Sequence, residues 1–465
     1  MNIKSNSDRL GEEPIAKLLL RLSVPSAIGL ILITSYNLVD TIFIGKLGVK
    51  AISALSIAFP IQMILAGVAI GAGVGTQSLI SRSLGKKQQI KASLAAGNSI
   101  LLAVFLGFII LIIGQFFSES IIKLFVSDID VINLGATYLR IILLGSFSLF
   151  YLRAGINILR AQGNYLLPMF ILILTAAFNI VLDPLLIFGL WGFPLLGVEG
   201  AAIATVLSRV ISCILVTVIL ISSRTEIGIT FKGFTPDMNV IRELFIVGIP
   251  TMMIQLVISI TIGGANMILG GSSMAIITVA ILGIYYKFQT LVLTPVLALV
   301  LALIPIIGYN YGSKNYKRIR ETIKIAILFT FSVSFIAFLL FQLIPGELIK
   351  IFSSDTTLID IGKDAFRRIN LLFFAVGPAV TVIWVFQGIG KGMKIFFALA
   401  IRQIIVFFPF LYFLTFQFGH PILWLAFPIA DALAMIVGII LIYPDIKKLG
   451  LTNITLIPKM KFKSK

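Results

Sequence analysis

Of 465 residues, one is a cysteine and one a histidine. Cys213 has no second thiol to bridge with, so no intrachain disulfide can staple the fold. A Cys/His zinc site or a thiol–imidazole nucleophile also lacks its parts. Charge is scarce too. Asp, Glu, Lys and Arg make up 12% of the chain, about half the share of an ordinary soluble domain, whereas 59% of residues are hydrophobic and the mean hydropathy is +1.09. A water-soluble globule of this size is excluded. The period-two alternation of a membrane barrel strand is missing as well, because the apolar stretches run for about twenty residues or more. What is there is spanning material: 39 Gly, 37 Phe and long aliphatic runs. The fold class expected is an all-α integral membrane protein.

Acidic residues number 19 against 37 basic ones, a net charge of +18. The positive charges fall in short loops between apolar runs and in the C-terminal tail, not on one contiguous face, so no nucleic-acid partner is expected. Lys4, Asp8, Arg9, Glu12, Glu13 and Lys17 precede the first apolar stretch without a small-residue cleavage pattern, and that stretch is expected to stay as a membrane helix.

Twelve apolar segments follow, at about 15–44, 52–80, 93–117, 134–160, 166–190, 197–222, 242–270, 275–308, 321–345, 364–387, 395–417 and 422–443. An even count places both termini on one side. The loops on that side are rich in Lys and Arg (Arg82, Lys86, Lys87, Lys91; Arg224, Lys232, Arg242; Lys314, Lys317, Arg318, Arg320, Lys324), and the tail adds Lys447, Lys448, Lys459, Lys461, Lys463 and Lys465. The alternate loops offer little beyond Lys46, Lys50, Lys123, Lys350 and Lys363. Both termini are therefore expected in the cytoplasm, with the chain in the plasma membrane.

The chain repeats itself at an offset of about 225 to 227 residues. Leu22-Ser23-Val24-Pro25 is answered by Val247-Gly248-Ile249-Pro250, and Ile122-Lys123-Leu124-Phe125-Val126-Ser127-Asp128 by Ile349-Lys350-Ile351-Phe352-Ser353-Ser354-Asp355. Gly85 aligns with Gly312 and Pro184 with Pro409. Six spans per repeat keep both halves in the same orientation, which is the layout of an alternating-access carrier. The expected organisation is an N-terminal six-helix lobe over 1–222, a linker over 223–241 marked by Ser223, Gly228, Gly233, Pro236 and Asp237, and a C-terminal six-helix lobe over 242–465 with a basic tail.

Ionisable groups inside the hydrocarbon are costly unless they face a partner or a cavity, so each is a functional candidate. Tyr36, Asn37 and Asp40 are expected on one face of the first span. In the fifth, Asn179 and Asp183 stand four apart, and Pro184 removes a backbone donor and should open the helix beside Asp183. These oxygen ligands suit Na⁺ or H⁺, not a transition metal. The competing reading puts Asp40 in water at the outer helix end beside Lys46. At the same offset the second half has Ala265 and Phe408, so the ion site is expected in the N-terminal lobe alone. The second half has Lys287, Gln387, Arg402, Gln403 and Asp431, with a Lys287–Asp431 pair as one reading. His420 reads as interfacial. Gly71, Gly73 and Gly75 read as helix-packing residues and not as a dinucleotide fingerprint. Gly388-Ile389-Gly390-Lys391 lacks the spacing of a phosphate loop.

Taken together, several segments resemble the multidrug and toxic compound extrusion (MATE) transporters. They are Tyr36-Asn37-Leu38-Val39-Asp40 with Ile44-Gly45-Lys46-Leu47-Gly48, Gly75-Thr76-Gln77-Ser78 leading to Ser81-Arg82-Ser83-Leu84-Gly85, Leu159-Arg160-Ala161-Gln162-Gly163-Asn164, Asn179 to Asp183-Pro184, and Pro305, Gly308, Asn310, Gly312 and Gln387-Gly388. The resemblance covers essentially the whole chain and is closest to the prokaryotic branch with acidic residues in its N-lobe. It implies two six-helix bundles in a V and efflux of amphipathic, often cationic small molecules by a monomer surrounded by lipid, driven by H⁺ or Na⁺ and needing no cofactor. It also implies a cation site at Asp40, Asn179, Asp183 and Thr205, with Tyr36, Asn37 and Asn157 as adjacent lining. Arg160 and Gln162 would stabilise the cytoplasmic end. An enzyme is not expected. The alternative kept open is a lipid-linked oligosaccharide flippase of the same superfamily, which should have extra spans and a strongly cationic cavity, whereas few buried positive charges are read in this chain.

Overall fold

The computed structural model describes residues 6–126, 128–222, 226–227, 236–272, 274–353 and 355–448. Most of the linker sequence, including Ser223, Arg224, Gly228, Lys232 and Gly233, lies outside the described residues, as do Lys4 and the tail from 449 on. A short helix, Asn6–Glu12, precedes the spans. The first six are α1 (Ile15–Gly45), α2 (Val49–Gly85), α3 (Gln89–Lys123), α4 (Ile129–Leu144 and Ser146–Ala161), α5 (Leu166–Phe188) and α6 (Val198–Ile221). The second six are α7 (Met238–Gly270), α8 (Ala275–Gly312), α9 (Tyr316–Leu343), α10 (Thr356–Ile369 and Phe373–Gly388), α11 (Gly392–Gln417) and α12 (Ala426–Lys448). Among the described residues, ten helices are long and apolar enough to cross a membrane, or up to twelve when each bent pair is one span. Among the described residues there is no strand.

The bends fall at α4 (42°) and α10 (50°), not at α5, whose helix runs unbroken through Pro184. A proline costs one hydrogen bond but does not by itself end a helix held on its other faces. Instead α5 stops at Gly189, which takes the left-handed conformation that lacks a penalty only for glycine. The repeated Ile-Lys-x-Phe motif has a local cause. Asp128 caps α4 by accepting from Val131 N at 3.0 Å, and Asp355 caps α10 by accepting from Leu358 N at 2.9 Å.

The buried apolar residues of both halves merge into one core on the side where Asn6–Glu12 lies and α12 ends, here called the terminal side. On the far side they divide. Ala265 to Ala430 supply one core, and Ile44 to Ala202 and Leu65 to Leu143 supply two others. Two halves joined at one end and separate at the other make a V.

Glycines permit the join. A Cβ at Gly71 would meet Gly248 O at 2.7 Å, and one at Gly75 would overlap Leu244 O, so α2 crosses α7 backbone to backbone. The sequence reading of these glycines as packing residues holds. Ser78 Oγ donates to the carbonyls of Gln387 (2.9 Å) and Gly388 (3.0 Å), and Tyr165 OH, which accepts from Gln77 Nε2 (2.8 Å), donates to Leu301 O (2.8 Å). Asn310 Nδ2 and Arg318 Nε both donate to Leu10 O, at 2.9 and 3.1 Å, which fastens the N-terminal helix to the second half.

Candidate functional site

The site is assembled inside the first half by α1, α5 and α6. Asn179 and Asp183 sit one turn apart on α5, both fully buried, and Asn179 Nδ2 donates to Asp183 Oδ1 at 3.1 Å. The same amide reaches Thr205 Oγ1 on α6 at 3.4 Å. Asp40, on α1, is 7% exposed and lies within electrostatic reach of Asp183, and both carboxylates act on the buried hydroxyl of Tyr138. Asp40 Oδ1, Asn179 Oδ1 and Asp183 Oδ2 are buried with no hydrogen-bond partner. Acceptors outnumber donors here, and a buried acceptor without a donor costs on the order of 1–3 kcal/mol, more when charged. A proton or a small cation relieves that deficit. The donors are hard oxygens, and among the described residues no group of three or more His, Cys, Asp or Glu is placed to hold a metal.

Asp40, Asn179, Asp183 and Thr205 are thus brought together. The competing placement of Asp40 in water does not hold: it is buried, and Lys46 Nζ lies over the Phe43 ring at 5.7 Å. Tyr36, one turn before Asp40, is half-buried, but Asn37 is exposed and spends its amide on Ile33 O at 2.8 Å. The expectation of one shared face fails at Asn37 because neighbouring residues point about 100° apart around a helix. Asn157 is buried against Gly73 of α2 and donates to Arg153 O at 2.8 Å.

In the second half the Lys287–Asp431 pair is replaced by another. Arg402 grips Asp431 Oδ1 through Nε (2.9 Å) and Nη2 (2.5 Å), and Arg402 Nη1 bonds Gln403 Oε1, whose Nε2 in turn donates to Thr261 Oγ1. Lys287 Nζ lies over the Phe352 ring at 5.1 Å. A π-helical stretch, Ile401–Phe407, rotates Arg402 and Gln403 into place, which helical spacing alone does not anticipate. Gln387 lies at the terminal-side join and not in the cleft. It is buried, and its side-chain oxygen and nitrogen are unpartnered. His420 Nε2 is 3.7 Å from Asp364 Oδ2, at the far end of the second half.

Among the arginines that escaped the sequence reading are Arg153 on α4 and Arg209 on α6. Both fall within spans, where the rule applied to the other ionisable residues would have found them. Both are half-buried, as is Arg402, whereas Lys287 is exposed. Arg160, by contrast, is buried against the Tyr165 ring at 5.6 Å, and Gln162 Oε1 accepts from Ile227 N at 3.2 Å, both at the terminal end as expected.

The MatE family pattern matches residues 25–185 and 249–413, once in each half. The multidrug export protein MepA of Staphylococcus aureus is 26% identical over 439 residues, covering 93% of this chain and 94% of that one. An FAD transporter of Shewanella oneidensis is 28% identical over 357 residues, covering 75% and 76%. The crystal structure of a MATE transporter in a bent conformation superposes with a TM-score of 0.89 at 27% identity, over 97% of this chain and 99% of that one. With the pattern on both halves, the V-shaped helical fold and a polar cluster buried in the first half, this chain belongs to the MatE family of membrane transporters, which are not enzymes.

Proposed function

We propose that the chain is a multidrug efflux antiporter that carries amphipathic, often cationic small molecules out of the cell in exchange for H⁺ or Na⁺. The observation that carries this reading is the acceptor excess at Asp40, Asn179 and Asp183. Cation uptake there relieves a buried electrostatic deficit and changes how α1, α5 and α6 pack. A bound ion shifts the balance between two states only through unequal affinity for them, so the cluster must be looser in one state than in the other. The MepA name supports the cargo class. The lobes that move are the two six-helix halves, 1–222 and 242–465.

Charge supports a cytoplasmic terminal side. On the far side Lys50 is paired with Asp128 and Asp130, Lys123 with Glu119, Lys350 with Glu347, Lys363 with Asp360 and Arg368 with Asp364. The basic surplus is left to the terminal side, as an anionic inner leaflet favours. The V then opens outward.

The test is ethidium transport in proteoliposomes with a pH gradient and a Na⁺ gradient imposed separately. One gradient should drive uphill movement, and Asp40→Asn or Asp183→Asn should abolish it at equal protein incorporation. Undiminished gradient-driven transport by both variants would overturn the reading.

A further inference from the structure

We infer that the second half carries a silenced copy of the first half's cation site, with the Arg402 guanidinium as its permanent cation. Without that side chain, Asp431, Gln403 and Thr261 form an oxygen site for a proton or a small monovalent cation such as Na⁺. This deepens the transport reading above and rests on it, because the first-half cluster is taken as an ion site.

The repeat puts the two clusters in register. In the second half α11 packs between α7 and α12, as α5 packs between α1 and α6 in the first. At offsets of 224 to 226 residues Thr261 answers Tyr36, Gln403 answers Asn179 and Asp431 answers Thr205. Asn179 stands five residues before Pro184, and Gln403 six before Pro409. The π-helical stretch Ile401–Phe407 absorbs the extra residue, so Gln403 takes the place of Asn179. Both amides are buried and each meets a threonine hydroxyl, Asn179 that of Thr205 and Gln403 that of Thr261.

Charge sets the clusters apart. In the first half Asp40 Oδ1, Asn179 Oδ1 and Asp183 Oδ2 are acceptors with no donor. In the second half the two carboxylates are replaced by Ala265 and Phe408, and a single one returns at Asp431. Arg402 donates to Asp431 Oδ1 through Nε (2.9 Å) and Nη2 (2.5 Å), and to Gln403 Oε1 through Nη1. Gln403 Nε2 donates to Thr261 Oγ1, which donates in turn to Val257 O at 2.7 Å. Among the described residues, no buried side-chain atom of these four lacks a partner. The first half has no such tethered charge: the residue before Asn179 is Phe178, apolar and exposed.

One frame of three helices thus holds an acceptor excess in one half and a closed chain of donors and acceptors in the other. A guanidinium fixed to the backbone cannot leave during a cycle, so ions exchange at the first half alone. Taking it away strands the Asp431 carboxylate and Gln403 Oε1 beside the Thr261 hydroxyl, which are hard oxygens of the kind that hold Na⁺ or a proton. The titratable groups near Asp431 are Arg402 on α11 and Tyr285 and Tyr286 on α8. The α7 stretch beyond Glu243 has none, and Lys363, Arg367 and Arg368 of α10 are engaged at the far surface with Asp360, Gln342 and Asp364.

The test uses purified full-length protein in detergent carrying Asp40→Asn and Asp183→Asn, so that the first half takes up no ion. In this background Arg402→Ala should gain saturable binding of radioactive Na⁺, or, where the occupant is a proton, a thermal midpoint that rises relative to the background as the pH falls from about 8 to about 5. The sign follows because a stranded carboxylate takes up a proton more readily in the folded than in the unfolded chain. Adding Asp431→Asn should abolish whichever response appears. Gln403→Glu keeps Arg402 but adds a second carboxylate, and should give the same gain by a route that does not depend on Arg402→Ala folding. Arg402→Lys should gain neither response, since the charge stays. Na⁺ binding assigns the metal cation, and a pH response without it assigns the proton. Absence of both responses in the folded Arg402→Ala or Gln403→Glu variant, or a response that survives Asp431→Asn, would overturn the inference. Gradient-driven ethidium transport by the unsubstituted protein keeps the two readings apart: its absence with the Asp431-dependent response intact sinks the antiport reading alone, and its presence without that response sinks the silenced site alone.

Discussion

Gly85 and Gly312, equivalent positions in the two repeats, pack reciprocally: a Cβ on Gly85 would overlap the carbonyl of Tyr309, and a Cβ on Gly312 the carbonyl of Arg82. The duplicated glycine is therefore the contact by which α2 and α8 close the terminal side. Gly85→Ala or Gly312→Ala should lower stability by roughly 1–3 kcal/mol, the usual cost of overpacking against backbone that cannot yield. Gly263→Ala is the control, since a Cβ there meets nothing within 4 Å. Thermal unfolding of detergent-solubilised variants reads the difference, and equal midpoints for Gly85→Ala and Gly263→Ala would contradict it.

Among the described residues, Asn179 supplies the one hydrogen bond to the Asp183 carboxylate. A hydrogen bond to a charged group contributes about 1.5–3 kcal/mol, so Asn179→Ala should slow coupled transport about ten- to a hundredfold. Thr205→Val removes only the longer 3.4 Å contact and should cost less. Initial rates of gradient-driven dye movement, normalised to protein in the vesicles, rank the two variants.

The Arg402–Asp431 pair is half-shielded, with side chains 23% and 17% exposed. Removing one member strands the other. Arg402→Met alone should destabilise by on the order of 3 kcal/mol, whereas the double variant Arg402→Met with Asp431→Leu should recover most of the loss. Lys287→Met should leave the Asp431 variants unaffected. A thermal-unfolding cycle measures the coupling, and strictly additive losses for Arg402 and Asp431 would count against the pair.

At the far-side surface, the Val131 amide holds the Asp128 carboxyl below its ordinary range, helped by Lys50. A carboxyl whose folded value is depressed adds stability that is complete above its unfolded value near 3.9 and is lost as pH falls through the folded one. Asp128→Ala should thus lower the unfolding midpoint at pH 7, with the gap to wild type narrowing as the pH drops below about 4. Amide exchange at the start of α4 reports the same loss locally.

Much of the fold was legible in the chain itself. Span number, the six-plus-six duplication and the glycine contacts are written in local hydropathy and in motifs repeated at one offset. The Asn179–Asp183 pair was legible too, because i and i+4 on one helix meet whatever surrounds them. Asn37 was misplaced because its angular position, not its closeness in sequence to Asp40, governs its exposure. Arg153 and Arg209 carried the same signal as Asp183 but stood outside any motif.

The amino-acid order by itself determined that this chain lives in a membrane as a duplicated bundle with two carboxylates in its first half, since the free energy of burying each segment depends on that segment alone. Only the tertiary structure decided which charges meet. Asp431 took Arg402 because a π-helical stretch turned α11 by a fraction of a turn. Such pairings depend on the relative rotation of packed helices, which is fixed by side-chain interdigitation over the whole lobe and is not encoded in any one stretch of the sequence.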